Sequence, residues 1–437
     1  PQSGNEANGD YYFVFGSGNS LASYDVSKFA FDGTDGFKIV SDHDGVSAGV
    51  PITAGGDING DGYEDFYLLG FNATNGTGLK HGNTYVIYGG VNVGSTGVID
   101  ADSLNGTNGT VFTSDKENLI GQDLGDVNGD GLSDTIFFSY AQEPGVPYES
   151  VLVYGSDDSW GGRSEINLSA EWQDIGATRF VWSDPDEGAL NRVQRGQGDV
   201  NGDGLNDLFF VTDHQSGDPQ AGVRVIYGQQ GGFEQNTIQV DQYASGTTGL
   251  FFGIPETEDF GTGGTPTIKS ILDFNGDGFA DITSAVYGAD TNGLTNNGVV
   301  SILNGGDFSG VISQSSTSGD DHLVGTALAD QFAGGQGNDV LCGNGGADAL
   351  NGGFGDDRLV ISDAEFVQID GGAGFDTMVW AGENLDIDVT TLAIGSIIDI
   401  EQIDMTGSGA NTLTLDVRNV LEISEVGPEL IVSGDSN

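Results

Sequence analysis

The hydrophobic pattern of this chain consists of short apolar runs separated by turns rich in Gly, Asp and Asn. Four of these runs, FYLLGF, TIFFSY, LFFVTD and ITSAVY, are rich in aromatic and branched residues, which favour strands over helices. Similar runs recur along the chain, such as GTNGTVFTSD at Gly106–Asp115 and SVLVYGS at Ser150–Ser156. The pattern therefore predicts an all-β protein built from repeats.

Four acidic loops of one pattern precede the aromatic runs: GDINGDGYED, GDVNGDGLSD, GDVNGDGLND and LDFNGDGFAD, hereafter loops 1 to 4. Counted from the first Asp, oxygen-bearing side chains occupy positions 1, 3, 5 and 9 of each loop. They are Asp57, Asn59, Asp61 and Asp65, then Asp126, Asn128, Asp130 and Asp134, then Asp199, Asn201, Asp203 and Asp207, then Asp273, Asn275, Asp277 and Asp281. Carboxylates that converge in this way repel one another unless a hard divalent cation lies between them, and calcium accepts about 6–8 such oxygens. We therefore expect Ca²⁺ in each loop.

The helix-loop-helix calcium hand is the first alternative for these loops. That motif needs a bidentate Glu at position 12 of its loop. Position 12 is Leu68, Phe137, Phe210 or Ser284 in this chain. A Gly follows position 5 in every loop and permits a sharp bend. The loops are therefore predicted to connect strands.

The loops recur at intervals of 69, 73 and 74 residues, and their flanking strands recur in step. A unit of about 70 residues with three or four short strands cannot bury both faces of its sheet alone, and radial stacking is the usual solution. We therefore predict a β-propeller over residues 1–313, with four full repeats and a partial amino-terminal blade. The opening SGNEANGDYYFVFGSG matches the later half of a unit, so the chain is expected to start inside a blade. Alternatively, Tyr11–Phe15 closes the ring onto the last blade.

The segment GGDINGDGYEDFYLLG, followed by TYVIYGG, resembles the FG-GAP repeat of integrin α-subunit propellers and their bacterial relatives. The resemblance implies calcium-binding blades and carries the calcium positions of the family onto the loop side chains named above. The Phe-Gly and Gly-Ala-Pro motifs of the family are degraded here, because SAGVPITAG and LIGQDLG stand where the first would lie. The loops are therefore predicted more sharply than the blade boundaries.

A second repeat begins near Ser316, where the chain falls into the nonapeptides STSGDDHLV, GTALADQFA, GGQGNDVLC, GNGGADALN and GGFGDDRLV, followed later by GGAGFDTMV. The pattern G-G-x-G-x-D-x-U-x is that of a parallel β-roll, in which Asp reaches calcium between turns and the apolar U residue fills the interior. The Asp positions are Asp321, Asp330, Asp339, Asp348, Asp357 and Asp376, and the U positions are Leu323, Phe332, Leu341, Leu350, Leu359 and Met378. These repeats resemble the repeats-in-toxin, or haemolysin-type, calcium-binding family. GTALADQFA lacks two of the glycines, so its calcium is the least secure of the set.

The roll is predicted over residues 314–380, and a β-rich segment that caps it over residues 381–437. The second segment contains strand-like runs such as NLDIDVTTL and ELIVSGD. It resembles the segment that caps such rolls in large secreted adhesins. Because it stops without an evident secretion motif, we expect a longer parent chain.

The charge of the chain agrees with metal binding, since 66 acidic residues face 12 basic ones and the formal net charge is −54. Such an imbalance excludes nucleic acid and anionic membrane as natural partners, and bound divalent ions would relieve the repulsion. Cys342 is the single cysteine, so calcium rather than a disulfide framework is expected to staple the fold. No apolar run is long enough to span a bilayer, so direct membrane insertion is not expected.

Candidate catalytic groups are not arranged for catalysis along this sequence. The four histidines, His43, His81, His214 and His322, have no metal-ligand spacing, and the loop carboxylates are committed to calcium. Cys342 has no basic neighbour in the sequence to activate it. We therefore expect a protein that is not an enzyme. Trp160, in SDDSWGGRS, is the aromatic residue singled out as a candidate exposed ligand contact, with a core position as the alternative.

The sequence as a whole predicts a calcium-dependent adhesion or binding module of a large secreted bacterial surface protein. The resemblance to the repeats-in-toxin family implies type I secretion and folding outside the cell. The expected partners are a cell-surface glycan, a protein, or copies of the chain itself. One alternative is a structural subunit of an S-layer or filament. A second alternative is an accessory domain of a secreted hydrolase.

Overall fold

The structure is a computed structural model in which the described residues are 11–15, 31–34, 36–40, 52–75, 79–115, 119–139, 149–182, 192–193, 198–212, 222–240, 248–253, 267–275, 279–286, 299–306, 319–392, 395–406, 409–424 and 429–434. Several predictions concern positions outside these ranges. They are Asp277, the boundary between residues 313 and 314, the segment before Tyr11, and the histidines His43 and His214.

The chain divides into two compact units. The first comprises Pro1–Asp123, Leu132–Val181 and Gln235–Ile238, and the second comprises Leu124–Gly131, Trp182–Glu234 and Gln239–Asn437. Strands dominate the described residues of both units, as the apolar pattern predicts.

Among the described residues, the strands before the nonapeptides are β1 Tyr11–Val14, β2 Gly36–Val40, β3 Ile52–Ala54, β4 Phe66–Asn75, β5 Leu79–Ile87, β6 Val98–Asp100, β7 Gly109–Thr113, β8 Leu119–Gly125, β9 Asp134–Ser139, β10 Glu149–Val153, β11 Glu165–Asn167, β12 Thr178–Val181, β13 Arg192–Val193, β14 Leu208–Thr212, β15 Gly222–Ile226, β16 Thr237–Gln239, β17 Gly249–Gly253, β18 Thr267–Leu272, β19 Asp281–Val286 and β20 Val299–Leu303. Their sheets have the orders β1-β2-β6, β11-β7-β5-β4-β3, β16-β12-β10-β9-β8, β13-β14-β15-β17 and β18-β19-β20. None of these sheets closes on itself within the described residues.

The acidic loops all occupy one topological position. Loop 1 connects β3 to β4, loop 2 connects β8 to β9, loop 3 connects β13 to β14, and loop 4 connects β18 to β19. In the first and third cases the loop joins the first two strands of a four-stranded antiparallel meander. The loops therefore lie between strands, and the helix-loop-helix alternative is excluded for them.

The spatial repeat is offset by one strand from the sequence repeat. Strand β7 precedes loop 2 along the chain, yet it pairs antiparallel with β5 and so belongs to the sheet that contains loop 1. Strand β17 likewise precedes loop 4 and completes the sheet of loop 3 by pairing with β15. The sheets of loops 1 and 3 therefore each receive their last antiparallel strand from the segment before the next loop.

Trp160 is part of the core of the first unit. It lies in α1 (Ser159–Gly162), a single turn whose residues have left-handed φ values of 50° to 78°. Its indole is buried, packs edge-on against Phe112 at a centroid distance of 5.2 Å, and donates from Nε1 to the carbonyl of Tyr154 at 3.1 Å. The exposed-contact hypothesis for Trp160 is therefore wrong, because the left-handed turn directs the ring inward.

The nonapeptides form a parallel β-roll of two sheets. The strands are β21 His322–Val324, β22 Gln331–Ala333, β23 Val340–Cys342, β24 Ala349–Asn351, β25 Arg358–Ile361, β26 Gln368–Asp370, β27 Thr377–Trp380, β28 Asp386–Asp388, β29 Ile397–Ile398, β30 Gln402–Asp404, β31 Thr412–Thr414 and β32 Ile431–Ser433. One sheet has the order β21-β23-β25-β27-β30-β32 and the other β22-β24-β26-β29. The six predicted U side chains are all buried between these sheets.

The segment after residue 381 continues the roll. Strands β30 and β32 extend the longer sheet in parallel register, and β28 pairs with β31. The other α-helices of the described residues are α2 (Leu168–Glu171) in the first unit and α3 (Val417–Ile423) in the second, and short 3₁₀ helices occupy Ala101–Ser103, Trp172–Ile175 and Val389–Thr391. The helix α3 contributes Ile423 to the core of the roll.

Candidate calcium sites

In loops 1 to 3, the backbone bends around the carboxylate of the first Asp. In loop 1, Oδ2 of Asp57 accepts a hydrogen bond from the N–H of Gly62 at 2.6 Å, and Oδ1 accepts one from Asp61 at 3.1 Å. In loops 2 and 3 the donors are the glycines at positions 6 and 4, with Gly131 and Gly129 donating to Asp126 and Gly204 and Gly202 donating to Asp199, at 2.6–2.8 Å. Gly62 adopts a φ of +78°, which favours glycine and explains its place after position 5.

Positions 3 and 5 come together beside the first Asp. Nδ2 of Asn201 donates to Oδ2 of Asp203 at 2.9 Å, and the Leu205 N–H donates to the other oxygen of Asp203 at 3.0 Å. The same amide-to-carboxylate contact joins Asn59 to Asp61 at 3.2 Å. The loops therefore gather their predicted oxygen ligands at one edge of each sheet.

The Asp at position 9 anchors its loop to the sheet. Asp207 is fully buried, and its two oxygens accept the N–H groups of Val200 at 2.8 Å and Gly228 at 3.0 Å. The corresponding Asp65 and Asp281 accept in the same way from Ile58 and Gly89, and from Phe274 and Gly305, at 2.7–3.0 Å. Asp134 is also buried and accepts from Gly155 at 2.9 Å. A carboxylate oxygen has two lone pairs, so one hydrogen bond leaves it able to bind a cation.

Successive loops are joined by a recurring pair of hydrogen bonds. The carbonyl of Asp57 accepts from the Ser133 N–H, and the carbonyl of Ile58 accepts from Ser156, at 2.9 and 2.8 Å. The same pair occurs twice more, with Asn206 and Gln229 donating to Asp126 and Val127, and with Ala280 and Gly306 donating to Asp199 and Val200, at 2.8–2.9 Å. Position 8 of one loop thus binds position 1 of the preceding loop in each case.

The protein environment of the loops disfavours bare carboxylates. Burial raises the pKa of Asp65 to about 8, and burial together with the charge of Asp203 raises the pKa of Asp199 to about 8. Burial also raises the pKa of Asp207 well above its ordinary value. Because a bound cation would compensate these charges, the raised pKa values fit a set of oxygens built around a metal.

A ladder of hydrogen bonds runs along one edge of the roll. The N–H of Asp321 donates to Oδ1 of Asp339, the N–H of Asp339 to Oδ1 of Asp357, and the N–H of Asp357 to Oδ1 of Asp376, at 2.7 Å in each case. Each bond joins equivalent positions of neighbouring turns. On the opposite edge, Asp330 donates to Asp348 at 2.9 Å.

The second carboxylate oxygens of the ladder provide the test of whether calcium fits. Oδ2 of Asp339, Asp357 and Asp376 is buried and has no hydrogen-bond partner among the described residues. A Cβ on Gly334 would lie 2.6 Å from Oδ2 of Asp339 and 2.5 Å from the carbonyl oxygen of Gly352. The first glycine of the repeat therefore leaves room where a carboxylate and a carbonyl oxygen converge. Such oxygens are the ligands that calcium prefers, so the residues fit the ion.

The poorest nonapeptide, GTALADQFA, satisfies its carboxylate differently. Oδ2 of Asp330 accepts hydrogen bonds from the Thr326 N–H at 2.5 Å and from the Thr326 hydroxyl at 2.9 Å. Thr326 stands where GGQGNDVLC and GGFGDDRLV have the second glycine. Thr326 thus provides Oδ2 of Asp330 with hydrogen-bond donors, which Oδ2 of Asp339 and Oδ2 of Asp357 lack among the described residues.

Burial also perturbs the carboxylates of the roll. It raises the pKa of Asp357 to about 6 and that of Asp376 to about 8, and the charges of Asp357 and Glu401 add to the effect on Asp376. The pKa values of Asp339 and Asp348 are raised for the same main reason.

Two acidic residues beside the ladders were missed by the nonapeptide pattern. Oε2 of Glu401 accepts the N–H of Asp376 at 2.8 Å and so continues the first ladder. Oδ2 of Asp363 accepts the N–H of Gly346 at 3.2 Å, next to the turn that holds Asp348. Both lie outside the repeats, so their spacing alone carried no indication of a role.

No three Asp, Glu, His or Cys side chains in the described part of the chain form a ready metal-binding cluster. Sγ of Cys342 lies 3.7 Å from Nε2 of His322, and burial raises the pKa of the Cys342 thiol, which disfavours its reactive thiolate.

Within the second unit, the roll contacts loops 3 and 4. Nε2 of Gln331 donates to the carbonyl of Asp203, and Nε2 of Gln336 donates to that of Asn275, both at 3.1 Å. A cavity of about 520 Å³ adjoins these contacts and is lined by residues that include Asp199, Asp273 and Phe332. Loops 3 and 4 therefore line one side of this cavity, and the roll lines the other.

The acidic loops and the carboxylate ladders define a calcium-binding repeat protein. Comparison with known proteins identifies both kinds of repeat. The family model of the RTX calcium-binding nonapeptide repeat (4 copies) matches residues 315–348 and 324–359, and that of the FG-GAP repeat matches residues 270–303, which include loop 4. A comparison with curated proteins found no match. The chain thus carries an FG-GAP repeat followed by RTX repeats that bind several calcium ions.

None of the helices among the described residues is both long enough and apolar enough to cross a bilayer.

Proposed function

We propose that this chain is a calcium-dependent binding module of a secreted bacterial surface protein, and that calcium is required for its fold. The observation that carries the proposal is the row of buried Oδ2 atoms on Asp339, Asp357 and Asp376. A buried carboxylate without a partner is strongly destabilising, and calcium would remove that cost. The roll is therefore expected to gain most of its stability when the ion binds.

This dependence on calcium would also determine where the protein folds. Cytosolic calcium is too low to fill weak sites of this kind, whereas extracellular modules bind calcium with a Kd of about 10⁻⁴–10⁻³ M. The chain would then remain unfolded until export and fold outside the cell. RTX repeats occur in secreted bacterial proteins, which supports export, and we propose the type I route that the family resemblance implies.

We propose that the sheets of loops 1 to 4 are blades of a β-propeller within residues 1–313, followed by the roll at 314–380 and its cap at 381–437. The recurring hydrogen bonds from position 8 of one loop to position 1 of the preceding loop support this arrangement. Identical contacts between successive units generate a ring or a stack. The loops on such a rim are suitable for binding a partner.

The proposed activity is adhesion to a cell-surface glycan or protein rather than catalysis. Calcium would order the loops, and the loops would then present the binding surface. The test is a binding screen of the purified chain against glycan arrays and bacterial or host cells, with calcium or with EDTA. Binding that requires calcium and is lost in EDTA supports the proposal. Hydrolysis of the bound glycan, or no binding in calcium, would contradict it.

Self-assembly into a surface layer or filament is the second candidate. The last described strand of the roll, β32, favours it, because Ile431 and Val432 are each about half exposed (48%). Light scattering and electron microscopy after calcium addition would distinguish the candidates. Ordered lattices or fibres favour assembly, whereas a monodisperse protein that binds cells favours adhesion.

A further inference from the structure

The first ladder of the roll ends at a residue that no repeat predicts. Glu401 is buried, and its Oε2 accepts the Asp376 N–H at 2.8 Å. Oδ1 of Asp376 accepts the N–H of Asp357 in the same way, and Oδ1 of Asp357 accepts the N–H of Asp339. Glu401 thus occupies the next rung.

The strand register gives the same assignment. Thr377 pairs with Gln402 in the parallel pair β27–β30, as Arg358 pairs with Thr377 in β25–β27. Each ladder carboxylate immediately precedes its paired residue, so Glu401 is the structural equivalent of Asp376 in the following turn. In the turn after that, Leu430 occupies the equivalent position, because Gln402 pairs with Ile431. The carboxylate ladder therefore stops at Glu401.

At the inner turns of the ladder, a carboxylate and a carbonyl oxygen converge beside the first glycine of the repeat. A similar arrangement is present at the last turn. At Gly352, a Cβ would lie 2.5 Å from both Oδ2 of Asp357 and the carbonyl oxygen of Gly371. At Gly371, a Cβ would collide with the carbonyl oxygen of Asp399 and lie 2.9 Å from Cγ of Asp376. The side chain of Asp376 is fully buried, and its Oδ2 has no hydrogen-bond partner among the described residues. The side chain of Asp376 and the carbonyl of Asp399, which come from two successive turns, thus both approach Gly371, as the side chain of Asp357 and the carbonyl of Gly371 approach Gly352.

We propose that the calcium ion expected at Asp376 is also held by the carbonyl of Asp399 and by Glu401, at the carboxyl-terminal end of the roll. The site rests on calcium binding by the roll and is independent of the proposed adhesion. Its ligands come from the last nonapeptide and from the segment that follows it. Calcium would therefore join the cap to the roll, and the cap would be ordered only when the ion is bound.

Alternatively, Glu401 ends the ladder through hydrogen bonds to the protein alone. Oε1 of Glu401 lies 3.4 Å from the hydroxyl of Ser424, a long hydrogen bond. In that case the contact with Ser424 would terminate the ladder without an ion. The two roles make different predictions for calcium stoichiometry, because a protein cap adds no bound metal.

The variant Glu401→Gln tests the site, since its amide oxygen can still accept the Asp376 N–H while the charge is lost. The matched control is Glu365→Gln, which removes the same charge from an exposed position of the roll. Native mass spectrometry in saturating calcium should give one ion fewer for Glu401→Gln than for the wild type and the control. Ser424→Ala should retain the wild-type number. Equal numbers for the wild type and Glu401→Gln would overturn the proposal.

A measurement on the wild-type chain covers the case in which Glu401→Gln does not fold. Crystals grown with calcium should show an anomalous peak about 2.3–2.6 Å from oxygens of both Asp376 and Glu401. Peaks at the inner rungs without one at Glu401 would overturn this site while leaving calcium binding by the roll intact. Absence of every peak in the roll would instead contradict the proposed function.

Discussion

The main-chain N–H of Asp339 donates a 2.7 Å hydrogen bond to Oδ1 of Asp357, while Oδ2 of Asp357 is buried without a partner among the described residues. One carboxylate therefore has two separate tasks. Its first oxygen joins neighbouring turns of the roll, and its second oxygen is left for a cation. This division explains how the roll can have a defined register and still depend on calcium.

Replacement of Asp357 by Asn should change stability in opposite directions with and without calcium. The amide oxygen can keep the bond to Asp339, but the variant lacks the anionic ligand. In EDTA it should be as stable as the wild type or more stable by about 1–3 kcal/mol, because a buried unpaired charge is removed. In calcium it should be less stable and bind fewer ions. Denaturant unfolding in both conditions measures this, and an equal loss of stability in both would contradict the division of tasks.

Thr326→Gly should create a calcium site in the nonapeptide that lacks the second glycine. The change removes the hydroxyl that donates to Oδ2 of Asp330. The variant should be destabilised in EDTA and show a larger gain in Tm on calcium addition than the wild type. Thr326→Ser is the matched control, because it retains the hydroxyl and should behave like the wild type. An unchanged calcium response of Thr326→Gly would show that Thr326 does not replace the ion.

The metal-free protein should become less stable as the pH rises. The folded-state pKa values of Asp65 and Asp376 are raised by burial to about 8, from an ordinary value of 3.8. The folded state therefore retains protons that the unfolded state has lost between these limits, and stability falls across that window. With calcium the trend should reverse, since protons compete with the ion at low pH.

Thermal unfolding between pH 5 and 8.5, in EDTA and in calcium, measures both trends. Asp65→Asn serves as the control for the contribution of one buried carboxyl, and its metal-free Tm should depend less steeply on pH. A metal-free Tm that rises with pH would contradict the assignment of raised pKa values.

Trp160→Ala should reduce stability without reducing ligand binding. The indole is buried against Phe112 and hydrogen-bonded to the carbonyl of Tyr154, so truncation leaves a cavity that costs about 3–5 kcal/mol. Trp160→Phe should recover part of the packing but not the hydrogen bond. Calorimetry together with the glycan and cell screen measures the two effects. Lost binding by a Trp160→Ala protein of unchanged Tm would restore a surface role for this residue.

The parts of the protein that repeat could be predicted from the sequence, because spacing alone determines which residues become neighbours. The Asp and U positions of the roll and the placement of the loops between strands follow from such spacing. Glu401 could not be predicted, because it follows Asp376 by 25 residues and lies outside any nonapeptide. In the sequence, the contact of Thr326 with Asp330 was indicated only by the two glycines that the nonapeptide GTALADQFA lacks. Trp160 was misjudged because a left-handed turn reverses the direction that its polar neighbours indicate.

The most direct test of the account is calcium removal from the intact chain. Circular dichroism and thermal unfolding should be recorded in about 1 mM calcium, after EDTA, and after restoring either calcium or magnesium. Ion binding at about 10 times Kd stabilises by about 1.4 kcal/mol per site, so the loss of several ions should destabilise the roll by several kcal/mol. The account predicts that EDTA lowers the Tm far enough to unfold the chain and remove its strand spectrum at physiological temperature, and that calcium but not magnesium restores both. A spectrum and a Tm that are unchanged by EDTA would contradict it.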